Sequence, residues 1–390
     1  MDVKQEIAQR HATLIELRRD FHQHPELAME ETRTAGIIAE RLRASGLEVR
    51  SGIGKTGVVG ILRGSQPGKT LAIRADIDAL PIQEESDFPF KSQTPGKMHA
   101  CGHDGHTAIG LTVADILASH RDHLRGNVTF LFQPAEERIG GAEPMIADGA
   151  LKNPDVDAVI GLHLLSGLPV GQVGVRAGAT FASADMFTLR VRGRGGHGAM
   201  PNLSVDPVLV ASHIVVTLQS LVSREISPFN PAVVTIGSIH GGTAFNIIPD
   251  VVELQGTFRA YSAEDRAHIE ARIKEVANNV AAAMRASVEV EMSSGCPPCV
   301  SDEGMAQLIQ RAAAEAVGGQ NIRSDQLTTG SDDMAFFLNA VPGCYFIVGV
   351  QNTARGFDAP HHSPRFKIDE DGLSVGVEVM VRAALDYLQQ

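Results

Sequence analysis

The stretch Lys97 to Ala108, KMHACGHDGHTA, places His99, Cys101, His103, Asp104 and His106 within a dozen residues of a chain with only four cysteines. Groups of the same kind recur elsewhere: Asp76 and Asp78 after LAIRA, Glu136 and Glu137 after TFLFQPA, His163 at the end of AVIGLH, and His361 and His362 in a loop beyond YFIVGV. Taken singly, a histidine after a strand is usually a hydrogen-bonded structural residue, and paired glutamates are usually a solvated turn. Together, thiolate, imidazole and carboxylate form a ligand set suited to zinc, manganese, cobalt or nickel. A carboxylate beside such a centre is the usual general base. Glu136 and Glu137 can divide that labour, one binding metal while its neighbour faces the water.

These groups need a scaffold that brings them together. Two helical patterns open the chain, over Val3–Phe21 and Thr32–Ser45, the second stopped by Gly46. Short β-rich segments follow at 58–62, 71–75, 128–132, 158–162 and 345–350, with helical stretches such as 106–119 and 303–317 between them. This alternation predicts an α/β domain with a mostly parallel sheet flanked by helices. In such a sheet, ligands bind outside the carboxyl ends of the strands, where the polar groups above fall.

Between about 182 and 294 the pattern changes to strand, helix, strand, strand, helix, strand, the βαββαβ order of a ferredoxin-like unit. The chain thus reads as a catalytic metal-binding domain over 1–181 and 295–390, with an inserted lid or dimerisation domain over 182–294. The flanks GATFASAD and SSGCPPC are candidate hinges. The C-x-x-C pair Cys296 and Cys299 has no second such pair and reads as a rigid turn. GSQPGKT, Gly64 to Thr70, falls one residue short of a phosphate loop and leads into a strand, so a hairpin turn is expected there.

Composition narrows the function classes. The 390 residues carry 34 basic and 46 acidic side chains, a formal net charge of -12, with no Lys/Arg stripe that could follow phosphates, so no nucleic-acid partner is expected. The amphipathic first residues lack the apolar core of a signal peptide, and no 18-residue apolar run occurs, so no membrane association and a cytoplasmic location are expected. Four scattered cysteines make reduced thiols the default.

The motifs ADIDALP, MHACGHDGHTA, FQPAEE, GLH, GGHGAMP, FNIIPD, GTFR, GSDDMAFF and HHSPRF, in that order and across nearly the whole chain, resemble those of the dinuclear amidohydrolases of metallopeptidase clan MH. The nearest branch is that of hippurate hydrolase, N-acyl amino acid amidohydrolases and auxin-conjugate hydrolases. The resemblance implies a zinc-exopeptidase-like catalytic domain and two divalent ions per subunit (Mn²⁺, Zn²⁺, Co²⁺ or Ni²⁺). Cys101 would bridge them, His103 and His163 would complete one, and Glu137 and His362 the other. His362 is preferred to His361 because the family ligand stands two residues before the proline. Arg74 departs from the wider clan, where a ligand histidine holds its place. Asp76 would orient a ligand histidine by accepting its second N–H.

By the same resemblance Glu136 is the general base and His197 the oxyanion donor, reaching across a homodimer or higher oligomer. Asn246 and Arg259 would contact substrate, an N-acyl amino acid whose amide is hydrolysed. Dipeptides and N-acetyl-diaminopimelate are alternative substrates of the same site. Phe181, Phe187, Phe229, Phe245 and Phe357 are candidate walls of an aromatic acyl pocket. Two other classes compete: a metal-dependent binding protein without turnover, and a thiol enzyme with Cys101 as nucleophile.

Overall fold

The computed structural model describes residues 1–138 and 140–390, with Ser294 described by its backbone alone. Two compact units emerge, the first formed by residues 1–180, 300–327 and 332–390, the second by 181–299 and 328–331.

The first unit opens with α1 (Val3–Gln23), started by the Asp2 side chain accepting from the Gln5 N–H, and α2 (Thr32–Ala44). Strands β1 (Glu48–Ile53), β2 (Gly57–Arg63) and β3 (Gln66–Asp76) follow, then α3 (His103–Ser119), β4 (Arg125–Gln133), β5 (Ala158–Pro169) and the short β6 (Val173–Gly174).

The second unit contributes β7 (Asp185–Arg192), the two-residue β8 (Gly196–His197), α4 (Pro207–Ser220), β9 (Ala232–Gly241), the short β10 (Ile247–Ile248), β11 (Val251–Ala260), α5 (Ala263–Ala283) and β12 (Ser287–Ser294). The first unit then resumes with α6 (Glu303–Val317), β13 (Ile322–Arg323), β14 (Gly343–Gln351) and α7 (Asp371–Leu388).

The first unit's eight strands lie in the order β1-β2-β4-β3-β5-β14-β6-β13. The central run β4-β3-β5-β14 is parallel, as the strand and helix alternation predicts. Alternate residues of β3 face opposite sides. Leu71, Ile73 and Ala75 enter the core with apolar residues of α1, α3 and α7, while Arg74 and Asp76 belong to the other side. GSQPGKT is not a hairpin: β2 and β3 both pair with β4, which lies between them. The C-terminal helix α7 was not anticipated from the sequence.

The second unit is a four-stranded antiparallel sheet in the order β9-β11-β7-β12, with α4 and α5 supplying its core. This is the ferredoxin-like arrangement. Its helices carry clear start signals: Asp206 caps α4 ahead of Pro207, and Ser262 caps α5. The segment Pro207–Glu225 is long and apolar enough to cross a membrane by composition. Val210, Ala211, Ile214 and Leu218 recur on one side of α4 and are buried in this unit's core, the pattern of an amphipathic core helix. Cys296 and Cys299 are buried and unbridged, and the Cys296 carbonyl accepts from the Ala184 N–H. Phe187 is core, so it is unavailable as a pocket wall.

Candidate functional site

The chemistry-bearing loop Lys97–Gly102 ends where α3 begins. Gly102 has φ +96°, a left-handed conformation that turns the chain from Cys101 directly into His103 and that a side chain would strain. The His103 Nδ1–H donates to the Asp78 main-chain carbonyl at 3.0 Å, with the Asp78 carboxylate 3.3 Å from the same nitrogen. Nε2 is thereby turned inward, buried and without a hydrogen-bond partner among the described residues.

Asp78 is the hub of the site. Its two carboxylate oxygens accept the backbone N–H groups of Glu136 and Glu137, each at 3.1 Å. Ala135, just before them, holds a left-handed φ of +54° with its N–H donated to buried Glu31 at 2.9 Å. Strained backbone of this kind persists only where its surroundings fix it. On the opposite side His362, also left-handed at φ +63°, donates its N–H to the Ala100 carbonyl at 2.9 Å and puts Nε2 3.3 Å from the Glu137 carboxylate.

Of the five donor sets found among the described residues, two share Cys101. Cys101, His103 and His163 present ligating atoms that all lie within 4.8 Å of one another, and so do Cys101, Glu137 and His362. Cys101 belongs to both, with Sγ 3.6 Å from His163 Nε2. His361 falls outside both sets, because its Nε2 accepts from the Ser166 N–H at 3.1 Å. The donors suit a divalent metal on the structure's own terms. Besides His103 Nε2, a buried oxygen of Glu137 lacks a hydrogen-bond partner among the described residues, and such atoms are costly unless something occupies the space between them.

One sequence expectation is corrected. The carboxylate expected to accept from a ligand histidine was that of Asp76. Instead the Asp78 main-chain carbonyl takes the His103 Nδ1–H, and the Asp76 carboxylate accepts from Nδ1 of His106 at 2.5 Å. Asp76 also receives the Arg74 guanidinium at 2.7 Å. Buried Arg74 further donates to Gln133, Asp332, Asp333 and the Tyr345 hydroxyl, so it acts as a clamp behind the site in the place where the wider clan carries a ligand. Asp78, Glu31, His106 and this clamp were not assigned roles from sequence. Asp78 was visible there as a carboxylate after β3, but its backbone partners lie 58 and 59 residues away and no local pattern signals them.

Electrostatics fit a site built around cations. Burial, with Asp332, Glu137 and Asp333 close by, pushes the Glu136 carboxyl well up. Burial alone would lower His103, but Asp76, Asp78 and Glu137 raise it to about 10. Burial and the Glu137 and Glu136 carboxylates push the Cys101 thiol well up. A nucleophilic thiol needs the opposite shift, which argues against the thiol-enzyme reading, whereas a bound cation would favour the thiolate.

In the second unit β8 pairs with β10, His197 opposite Ile247, and the Gly198 N–H donates to the Asn246 carbonyl at 2.9 Å. The two residues are thus neighbours on one exposed ribbon. His197 Nδ1 accepts from the Ala199 N–H at 3.1 Å, which leaves its proton on Nε2 as an outward donor. Arg259 lies on β11 opposite Val233, half-buried and without an ion-pair partner among the described residues.

Comparison with known proteins places this geometry. Residues 72–386 match the model of peptidase family M20/M25/M40. The chain is 39% identical over 381 residues to the IAA-amino acid hydrolase ILR1-like 2 of Arabidopsis thaliana, covering 97% of this chain and 85% of that protein. It is 39% identical over 360 residues to the N-acetyl-L-cysteine deacetylase of Bacillus subtilis, covering 92% and 84%. Among solved structures, the Bacillus subtilis YXEP protein, described as a dinuclear metal binding peptidase from the M20 family, aligns with TM-score 0.86 and 34% identity over 98% of this chain and 99% of that one.

Proposed function

This chain belongs to peptidase family M20/M25/M40, and from that membership we propose that the cluster around Cys101 is the dinuclear centre of an amidohydrolase that splits N-acyl amino acids into a carboxylic acid and a free amino acid. The observation that carries the reading is the pair of donor sets sharing Cys101, with Glu136 buried beside them. His103 and His163 would complete one ion and Glu137 and His362 the other. The donors accept several first-row ions, Mn²⁺, Zn²⁺, Co²⁺ or Ni²⁺.

Bound divalent ions supply Lewis acidity, which lowers the pKa of water from about 15.7 to about 7. The protein's own groups do the rest. Glu136, positioned through its backbone by Asp78, takes the water's proton on a carboxylate oxygen and returns it to the leaving nitrogen. The outward Nε2–H of His197 donates to the developing oxyanion. Asn246 and the Arg259 fork bind the amino acid portion, Arg259 gripping its carboxylate.

The active form is proposed to be a cytoplasmic homodimer in which His197 serves the partner's centre. Support comes from the exposed apolar side chains Val208, Leu209 and Val216 on α4 and Ile239 on the edge strand β9. Mixing His197→Ala subunits with Glu136→Gln subunits should restore activity that neither variant has alone. No recovery in demonstrably mixed dimers would put His197 in its own subunit's reaction.

The substrate class is tested by measuring free amino acid released from N-acetyl, N-benzoyl and indole-acyl amino acids and from dipeptides. Release from the N-acyl series is the expected result. Release from dipeptides alone would replace this reading with a dipeptidase on the same site.

A further inference from the structure

Two imidazoles outside the proposed ligand sets grip the same short piece of β5. His106 and His361 approach it from different elements, α3 and the loop after β14. Each uses Nε2 to accept a backbone N–H: His106 from Leu164 at 2.9 Å, His361 from Ser166 at 3.1 Å. The two N–H groups flank the main chain immediately after His163. That imidazole is itself tied to this backbone, its Nδ1–H donating to the Leu164 carbonyl at 2.8 Å, which sends Nε2 toward Cys101. Where the Leu164 peptide goes, the His163 nitrogen follows.

The sheet does not hold this segment by itself. On its β3 side the pairing of β5 ends at Gly161, and on its β14 side it is regular only as far as Leu165 before it shifts register ahead of Pro169. A strand end with a broken ladder leaves N–H groups that need other acceptors. His106 is fixed as such an acceptor because Asp76 takes its Nδ1–H, and Asp76 is in turn held by Arg74. His361 is packed against the rings of His163 and Phe366, and an Nε2 that accepts leaves the ring proton on Nδ1, so neither nitrogen offers a free lone pair to a metal.

We infer that His106 and His361 are positioning residues that fix the end of β5 and so aim His163 at the metal it shares with Cys101 and His103, the His361 half being supplied by the first member of the His361–His362 doublet. The inference rests on the ligand assignment proposed above. It predicts an asymmetry: disturbing the brace weakens one metal position and spares the other, although His361 is the chain neighbour of the other position's ligand, His362.

The test is stepwise Zn²⁺ binding by chelator competition on the full-length protein. His163→Ala and His362→Ala serve as references that each remove one step. His361→Phe keeps a ring against Phe366 and removes the acceptor. It should weaken the step missing in His163→Ala by about 10–100-fold, the usual cost of losing an outer support of a ligand, and leave the other step at wild-type strength. His361→Gln, whose carbonyl oxygen can take the Ser166 N–H, should recover most of it. Should His361→Phe fail to fold, His361→Leu makes the same comparison.

Wild-type affinity for both steps in the Phe variant overturns the inference. Loss on the step assigned to His362 overturns it too, marking the effect as damage to the adjacent ligand. If neither reference variant removes a single step, the ligand assignment itself fails, and this inference with it.

Discussion

Glu136→Gln is expected to keep its metal ions and lose about 10²–10⁴-fold in turnover, the usual contribution of a general base. The substitution is nearly isosteric and leaves the backbone N–H of residue 136 on Asp78, so the loop that carries Glu137 stays in place. Glu136 lies outside the two donor sets built on Cys101, though it groups with His103 and Glu137 in a third; with Cys101, Glu137 and the ligand histidines intact, metal content should hold while proton transfer fails. Its surroundings suit the role: burial and the nearby Asp332, Glu137 and Asp333 carboxylates favour the protonated form, making the carboxylate a stronger base than an exposed glutamate. Metal analysis beside steady-state kinetics checks both halves. Near-normal turnover would remove Glu136 from proton transfer, and loss of metal would recast it as a ligand.

Cys101→Ala is expected to have the other large effect, through metal rather than through proton transfer. Cys101 is common to both donor sets, so its removal weakens two positions at once, whereas His163→Ala or His362→Ala touches one. The buried thiol is held protonated by burial and by two carboxylates, so metal uptake at Cys101 must release a proton. Atomic absorption after dialysis should find fewer than two ions per Cys101→Ala chain, with activity lost in proportion. A variant that binds both ions with wild-type affinity would contradict the bridging role.

Much of this architecture was legible in the sequence because it rests on short-range pattern. The β-rich runs of the parallel sheet and the βαββαβ order of the second unit are stated by hydrophobic periodicity and by caps such as Asp206 and Ser262. The members of the two donor sets were legible for another reason: cysteine, histidine and carboxylate at strand ends have few other uses in combination. His362 could be separated from His361 only by resemblance to a family; in the structure His362 Nε2 lies 3.3 Å from the Glu137 carboxylate, while His361 Nε2 accepts from the Ser166 N–H.

What stayed hidden is what depends on long-range contact. Nothing near Asp78 announces that it receives the N–H groups of Glu136 and Glu137, and nothing in LAIRA says that its arginine will meet Asp332 and Asp333. The expectation that Asp76 orients a ligand histidine differs from the structure for the same reason. Asp76 and Asp78 are two residues apart on the same extended chain, and which of them meets His103 and which meets His106 is decided by the seating of α3 on β3, not by local sequence. Likewise β2 and β3 look like a hairpin until β4, which comes after both in the chain, enters between them.

The central claim, metal-dependent hydrolysis of N-acyl amino acids, is tested most directly by stripping the purified protein of metal, restoring Mn²⁺ or Zn²⁺ in measured equivalents, and following free amino acid released from an N-acyl substrate. The account predicts no release from the stripped protein and recovery that saturates near two ions per chain. Release that survives complete metal removal would contradict it.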